Sequence, residues 1–249
     1  MDELTKWIIL AGGGLVAGIV NTLAGGGSLL TVPLLVFMGL PATTANGTNR
    51  IGVLFQNLVS TLRFRKEGLD GIRGAMPILV PILIGALIGA TVASRMSAEI
   101  FRQVFGVAMI ALLFPMLRPP RSPGADGEPL APRSRTLNAV IFFAIGFYGG
   151  AIQAGVGLFM IAALSRSGLD LVRANSIKVV VIGALTAVAV PIFILHDQVD
   201  WPLASALVVG FAIGGELGAR AAVKGGERLI KPVLVVSVLA MAGRMLGLY

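Results

Sequence analysis

The sequence predicts an all-α integral membrane protein built from two inverted-topology repeats, each with a short glycine-broken helical hairpin plus three longer helices. Three observations carry that expectation. Of 249 residues, 56% are hydrophobic and only 13% charged, against about 25% charged in a soluble domain, and mean hydropathy is +0.90. A glycine-dense break in a greasy stretch, Ala24-Gly25-Gly26-Gly27-Ser28, is answered by Gln153-Ala154-Gly155-Val156-Gly157. An offset of 129 residues then pairs Gly26 with Gly155, Gly39 with Gly168, Asn46 with Asn175, Gly85 with Gly214 and Gly89 with Gly218.

Apolar segments fall at roughly 7–23, 28–39, 48–63, 75–95 and 101–117, and again at 137–152, 156–166, 174–195, 203–222 and 229–247. Residues 1–117 form the first membrane repeat, 118–136 a cytoplasmic linker and 137–249 the second repeat. The linker opens Arg118-Pro119-Pro120-Arg121-Ser122-Pro123-Gly124; so much proline and polarity reads as an exposed connection. Met1-Asp2-Glu3-Leu4-Thr5-Lys6 lacks the basic start of a signal peptide, so the first apolar run is expected to stay in the mature protein. Three successive glycines cost a helix about 1 kcal/mol each relative to alanine, so the helix should open at each break. The second segment of each half, about 11 to 12 residues, reaches only about 17 Å, short of the ~30 Å hydrocarbon core. The first two segments of each half are therefore read as a hairpin dipping towards the middle of the bilayer. Pro33 loosens the short arm; Pro77, Pro81 and Pro191 lie in longer segments, which they can kink.

Loop charges set the orientation. Arg63-Phe64-Arg65-Lys66-Glu67-Gly68 is basic and placed in the cytoplasm, whereas its counterpart, His196-Asp197-Gln198-Val199-Asp200, has no Lys or Arg and is placed outside. Equivalent loops on opposite sides make the repeats inverted. The linker, Arg166 to Arg173 and Arg220 to Lys231 fall inside; residues 39–47 fall outside. Both termini then face the periplasm, against which Arg244 and the loop around Arg95 and Arg102 argue. The net charge of +8 is spread over these loops, which excludes nucleic acid as a partner. No cysteine and one histidine, His196, exclude disulfides, thiolate or His-cluster metal sites and cysteine nucleophiles; no cofactor is expected.

An opened backbone survives in a bilayer only where protein or a polar cavity covers it, and one opening per half is the pattern of a carrier's substrate site. An isolated glycine is more simply explained by close helix packing; Gly25, Gly26, Gly27 and Ser28 with a partner at Gln153, Gly155 and Gly157 are not. A second polar signal follows each break: Asn46-Gly47-Thr48-Asn49-Arg50 and Asn175-Ser176-Ile177-Lys178. Asn, Thr and Ser before an apolar run resemble helix N-caps, whose free N–H groups and positive dipole end suit an anion; capping alone is the plain alternative. Asn49 stands opposite Lys178 in the repeat register, with Arg50 adjacent. Pointed inwards, a cation there would neutralise an anionic substrate; snorkelling to the interface is the alternative. Asn21, Gln56 and Asn57 lie at helical depth and line a path or bond neighbouring helices. Glu216 is either a proton carrier or, preferably, the partner of Arg220 four residues on.

The run Asn21-Thr22-Leu23-Ala24-Gly25-Gly26-Gly27-Ser28, Val32-Pro33-Leu34-Leu35, Gly39-Leu40-Pro41, Ala45-Asn46-Gly47-Thr48-Asn49 and the basic loop at 63–68 resemble the sulfite exporter TauE/SafE family of bacterial inner-membrane permeases. The likeness covers nearly the whole chain, more weakly in the second half, which has Lys178 where the first has Asn49. The resemblance implies a multi-pass protein of the bacterial cytoplasmic (inner) membrane that moves sulfite, sulfonates or related small anions, mostly outwards. The expected function is thus a secondary transporter, not an enzyme, with a small anionic substrate and the lipid bilayer as partners. Coupling to protons or to the membrane potential stays open, as does a homodimer. A passive anion channel or scaffold is the competing class. An intramembrane serine hydrolase would need Ser28 and His196 within about 3 Å, yet the first is expected in a buried hairpin and the second at the outer surface.

Overall fold

The computed structural model describes residues 2–117, 134–166 and 169–225. Their regular structure is helical throughout: α1 (Glu3–Ala24), α2 (Ser28–Phe37), α3 (Ala42–Lys66), α4 (Gly71–Ser94), α5 (Ala98–Leu117), α6 (Arg135–Ala151), α7 (Val156–Ser165), α8 (Leu171–Leu195) and α9 (Trp201–Val223). Four of them, α1, α4, α8 and α9, are long and apolar enough to cross a membrane. Most of the proline-rich linker, Gly168, Lys231, Arg244 and the expected segment at 229–247 lie outside the described residues. The repeat register holds in the elements: α8 begins and ends 129 residues after α3.

Both helix breaks are where the glycines place them. Gly25 closes α1 in the left-handed conformation (φ 83°), its N–H returning to the carbonyls of Val20 and Asn21, a turn that only glycine enters without a Cβ penalty. In the second half Gln153 (φ 66°) and Gly155 (φ 72°) both turn left-handed between α6 and α7. The short arms α2 and α7 have 10 residues each, and Pro33 is absorbed within α2 without ending it.

Packing follows one pattern twice. α1 runs parallel to α9, with the Ala11 carbonyl against Gly210 and that of Leu15 against Gly214. α6 runs parallel to α4 in the same manner, with the Ile82 carbonyl against Gly146 and that of Ala86 against Gly150. Without Cβ atoms the backbones meet directly, the usual route to tight association of apolar helices. Between these pairs α3 and α8 run antiparallel, Gly47 beside Phe193 and Gly183 beside Asn57.

The loops gather at two ends. At one, Gln198 Nε2 donates to the Ser94 carbonyl (2.8 Å) and the Asp200 N–H to Thr48 Oγ1 (2.9 Å). At the other, Gly71 abuts the Ser176 carbonyl, and a cavity of about 280 Å³ is bordered by Asp70, Arg173 and Ser176. Because α9 starts at the first end and α4 at the second, the α1–α2 hairpin enters the bundle from one end and the α6–α7 hairpin from the other.

The asparagines following each break are not helix caps. α3 starts earlier, after Pro41, and α8 is capped by Asp170, whose side chain accepts from the Arg173 N–H. Proline in a pre-set extended turn and a well-placed aspartate outcompete the later residues as start signals. Asn46, Thr48, Asn49, Asn175 and Ser176 therefore sit inside helices, and their side chains, not helix N-termini, face the neighbouring elements.

A side chain at Gly150 would place its Cβ 2.1 Å from the Ala86 carbonyl, whereas nothing lies within 4 Å of one at Gly12. Gly150→Leu is expected to destabilise by about 1–3 kcal/mol or more. Gly12→Ala should be neutral or stabilising by up to about 1 kcal/mol. Thermal unfolding in detergent checks both.

Candidate functional site

The two hairpin tips touch. A Cβ on Gly25 would lie 2.4 Å from Gly157 Cα, and one on Gly157 would lie equally close to Gly25 Cα, so backbone meets backbone. Asn21 Nδ2 donates to Gln56 Oε1 (2.5 Å) and Gln153 Nε2 to Thr186 Oγ1 (2.8 Å), which puts both tips near the midpoints of α3 and α8. Around them lies a belt of buried polar side chains: Asn21, Ser28, Asn46, Asn49, Arg50, Gln56, Gln153, Asn175 and Lys178, none more than 5% exposed. Gly25, Gly26, Gly27, Gly155 and Gly157 are buried with them. The first turns of α2 and α7 close on the tips: the Leu29 and Leu30 N–H groups bond the Gly26 and Gly27 carbonyls (3.0 Å each), and those of Val156 and Leu158 bond the Gln153 (3.1 Å) and Gly155 (3.0 Å) carbonyls.

Each broken helix ends on a cation from the opposite half. Arg50 of α3 donates to the carbonyls of Gly149 (3.1 Å), Gly150 (2.5 Å) and Ala151 (3.1 Å) at the end of α6. Asn46, one turn earlier, adds Nδ2 to the Ala151 carbonyl (3.0 Å). Lys178 of α8 donates to the carbonyls of Asn21 (3.2 Å) and Thr22 (2.6 Å) at the end of α1, and to Asn175 Oδ1 (2.6 Å). The register of 129 maps Asn21 and Thr22 onto Gly150 and Ala151, so the two caps are counterparts. A cation suits the negative end of a helix, and both side chains are fully buried, which overturns snorkelling. The Arg50 guanidinium also lies over the Phe193 ring, 4.6 Å from its centroid.

The first hairpin is further tied to its own half. Asn49 Nδ2 donates to Ser28 Oγ (2.9 Å), and Thr31 Oγ1 to Asn49 Oδ1 (2.5 Å). A second chain runs from Gln56 Nε2 to Thr22 Oγ1 (2.7 Å), across to Ser60 Oγ (3.1 Å) and on to the Gly215 carbonyl (3.0 Å). Four buried polar atoms of this region have no partner among the described residues: Asn46 Oδ1, Arg50 Nε, Asn57 Oδ1 and Gln153 Oε1.

Two sequence-derived candidates stand apart from the belt. Thr48 Oγ1 accepts from Asp200 at one end of the bundle. Ser176 Oγ donates to the Arg173 carbonyl (2.8 Å) and borders the cavity at the other. Ser28 and His196 do not form a pair: Ser28 Oγ accepts from Asn49 in the belt, and exposed His196 sits with Nδ1 2.8 Å from the Ile192 carbonyl at the end of α8. Glu216 pairs with Arg220 (2.8 Å) and, more loosely, with Arg63 (3.6 Å). Sequence reasoning missed Thr22, Thr31, Ser60 and Thr186 as members of the network. Their signal was faint, single hydroxyls in apolar runs, although Thr31 lies one turn after Ser28 and Ser60 one turn after Gln56.

Helices that enter from opposite ends, break, and meet in a buried polar belt define a multi-pass membrane transporter. The chain belongs to the sulfite exporter TauE/SafE family, whose model matches residues 10–245. It is 27% identical over 234 residues to "Probable membrane transporter protein ORF9" of Sinorhizobium sp, covering 93% of this chain and 89% of that one. A "Probable membrane transporter protein" of Haemophilus influenzae is 26% identical, covering 93% and 91%. "Probable membrane transporter protein YfcA" of Escherichia coli K12 is 24% identical, covering 93% and 86%. No solved structure matches the chain.

Arg50→Met strips the end of α6 of three charge-assisted hydrogen bonds and leaves buried carbonyls behind, an expected loss of at least about 2 kcal/mol. Arg220→Met, at a side chain 53% exposed, should cost no more than about 1 kcal/mol. Detergent melting curves of the two variants test the contrast.

Proposed function

We propose that the protein is a secondary transporter, not an enzyme, that exports small anions such as sulfite or organosulfonates across the bacterial cytoplasmic membrane. The observation that carries this reading is the meeting of two helix breaks, backbone to backbone at Gly25 and Gly157, inside a belt of buried amides, hydroxyls and two cations. Backbone opened at that depth is tolerated where it serves a polar path, and transporters place substrate between such half-helices. Buried positive charge from Arg50 and Lys178 makes the region one that favours an anion over a cation. In this reading the two halves are inverted repeats, and rocking of the glycine-lined pairs α1–α9 and α4–α6 past α3 and α8 opens the belt to one side and then the other. Membership of a sulfite exporter family supports sulfite as the first substrate to test.

Two experiments test the reading. In proteoliposomes, replacing both Asn46 and Asn175 with alanine should cut sulfite or sulfonate flux about tenfold or more, the effect of losing roughly 1.4 kcal/mol of positioning. Unchanged flux would remove the belt from the path. The chain carries no cysteine, so Lys66→Cys and Gln198→Cys can be labelled singly with a membrane-impermeant thiol reagent. Labelling from opposite sides is expected; labelling from one side would refute the inverted arrangement.

A further inference from the structure

The two buried cations occupy equivalent places but are not equally engaged. A lysine ammonium has three N–H donors, and Lys178 makes three bonds of 2.6–3.2 Å, to Asn21, Thr22 and Asn175. An arginine has five. Arg50 uses its two terminal nitrogens on Gly149, Gly150 and Ala151, while its fully buried Nε has no partner among the described residues. The end of α6 that Arg50 caps carries a second departure. Gln153 adopts a left-handed backbone (φ 66°) between Gly149, Gly150, Gly155 and Gly157. A left-handed residue other than glycine is strained by its Cβ, and such strain gathers where a side chain has work to do. This one is 2% exposed, holds Thr186 through Nε2, and has an Oε1 without a partner among the described residues. The Thr186 hydroxyl donates as readily as it accepts, so a half-turn of the amide keeps that bond and turns an NH₂ donor to where Oε1 stands.

We propose that the transported anion is held at the broken end of α6, by Arg50 through Nε and by the Gln153 amide, and that Lys178 is a structural cap of α1. This deepens the transporter reading and rests on it. The edge of a guanidinium formed by Nε and one terminal nitrogen matches two oxygens on a single centre, so the ligand class is an oxyanion such as a sulfite, sulfonate or carboxylate, and not a halide. That terminal nitrogen now serves α6 carbonyls, so the anion competes with the α6 end for Arg50. Asn46, which holds the Ala151 carbonyl, keeps one acceptor satisfied as the guanidinium turns. Binding and release of the α6–α7 hairpin are thereby linked, whereas the α1–α2 hairpin stays tied by Asn49 to Ser28.

The test is ligand-induced thermal stabilisation of the purified full chain in detergent, with sulfite, methanesulfonate, acetate and chloride as probes. Wild type, Arg50→Lys, Gln153→Gly and Lys178→Arg are compared, and size-exclusion profiles verify folding. Wild type should respond to the oxyanions and not to chloride. Arg50→Lys keeps the charge and loses the fork, so apparent affinity should fall about tenfold or more. Gln153→Gly relieves the backbone strain, so its ligand-free midpoint should not drop while its oxyanion response is lost. Lys178→Arg should respond within about threefold of wild type. A wild-type-like response in Arg50→Lys or in Gln153→Gly, or a loss confined to Lys178→Arg, overturns the assignment. Should either cation variant fail to fold, the response of Gln153→Gly decides between the two outcomes. Wild type indifferent to every oxyanion would instead sink the anion-transport reading itself.

Discussion

Everything in this fold leans on the satisfaction of backbone carbonyls at two helix ends buried in an apolar bundle. A helix that stops inside such a bundle leaves its last carbonyls without N–H partners, and no water is at hand to serve them. Here the remedy comes from across the molecule: Arg50 of the first half covers the end of α6, and Lys178 of the second covers the end of α1. Neither hairpin is completed within its own half. The two halves are therefore interdependent parts of one core, with α3 and α8 as the antiparallel struts that carry both caps.

The caps are alike in place and different in chemistry, and the surrounding residues differ in step. Where the first half has Ser28, Thr31 and Asn49, which bond one another, the register gives the second half Gly157, Met160 and Lys178. The side-chain bonds from Asn49 to Ser28 and Thr31 thus have no equivalent in register at Gly157 and Met160, neither of which carries a side-chain amide or hydroxyl. Divergence at three positions gives the two hairpins different moorings: α2 is tied to α3 through Asn49, whereas the α6–α7 tip is held by Arg50, Asn46 and the bond from Gln153 to Thr186.

Much of this was legible in the sequence. Composition and segment length indicate a membrane bundle, and triple glycine and Gln153-Ala154-Gly155 mark the breaks to within a residue or two, because glycine's backbone freedom acts locally. The start of α3 was not legible: the run Asn46-Gly47-Thr48-Asn49 has the composition of a cap, but the helix had already begun behind Pro41. Local preference lost there to an earlier and stronger start signal. The destination of Arg50 and Lys178 was legible only as "inwards". That they reach carbonyls about a hundred and more residues away is a matter of tertiary packing, and no spacing rule along the chain encodes it. Thr186 was invisible for a related reason, as one hydroxyl in an apolar helix says nothing about which amide will find it.

The contact between Gly25 and Gly157 has a mechanical corollary. With no side chain between them, the tips meet as two bare main chains, and there is no soft, rotatable cushion to absorb a small shift on either side. A displacement of one tip must be taken up by the other or open a gap between them. The junction behaves like a hard stop, and the α6–α7 tip can draw away from the tethered α1–α2 tip only by parting the two main chains.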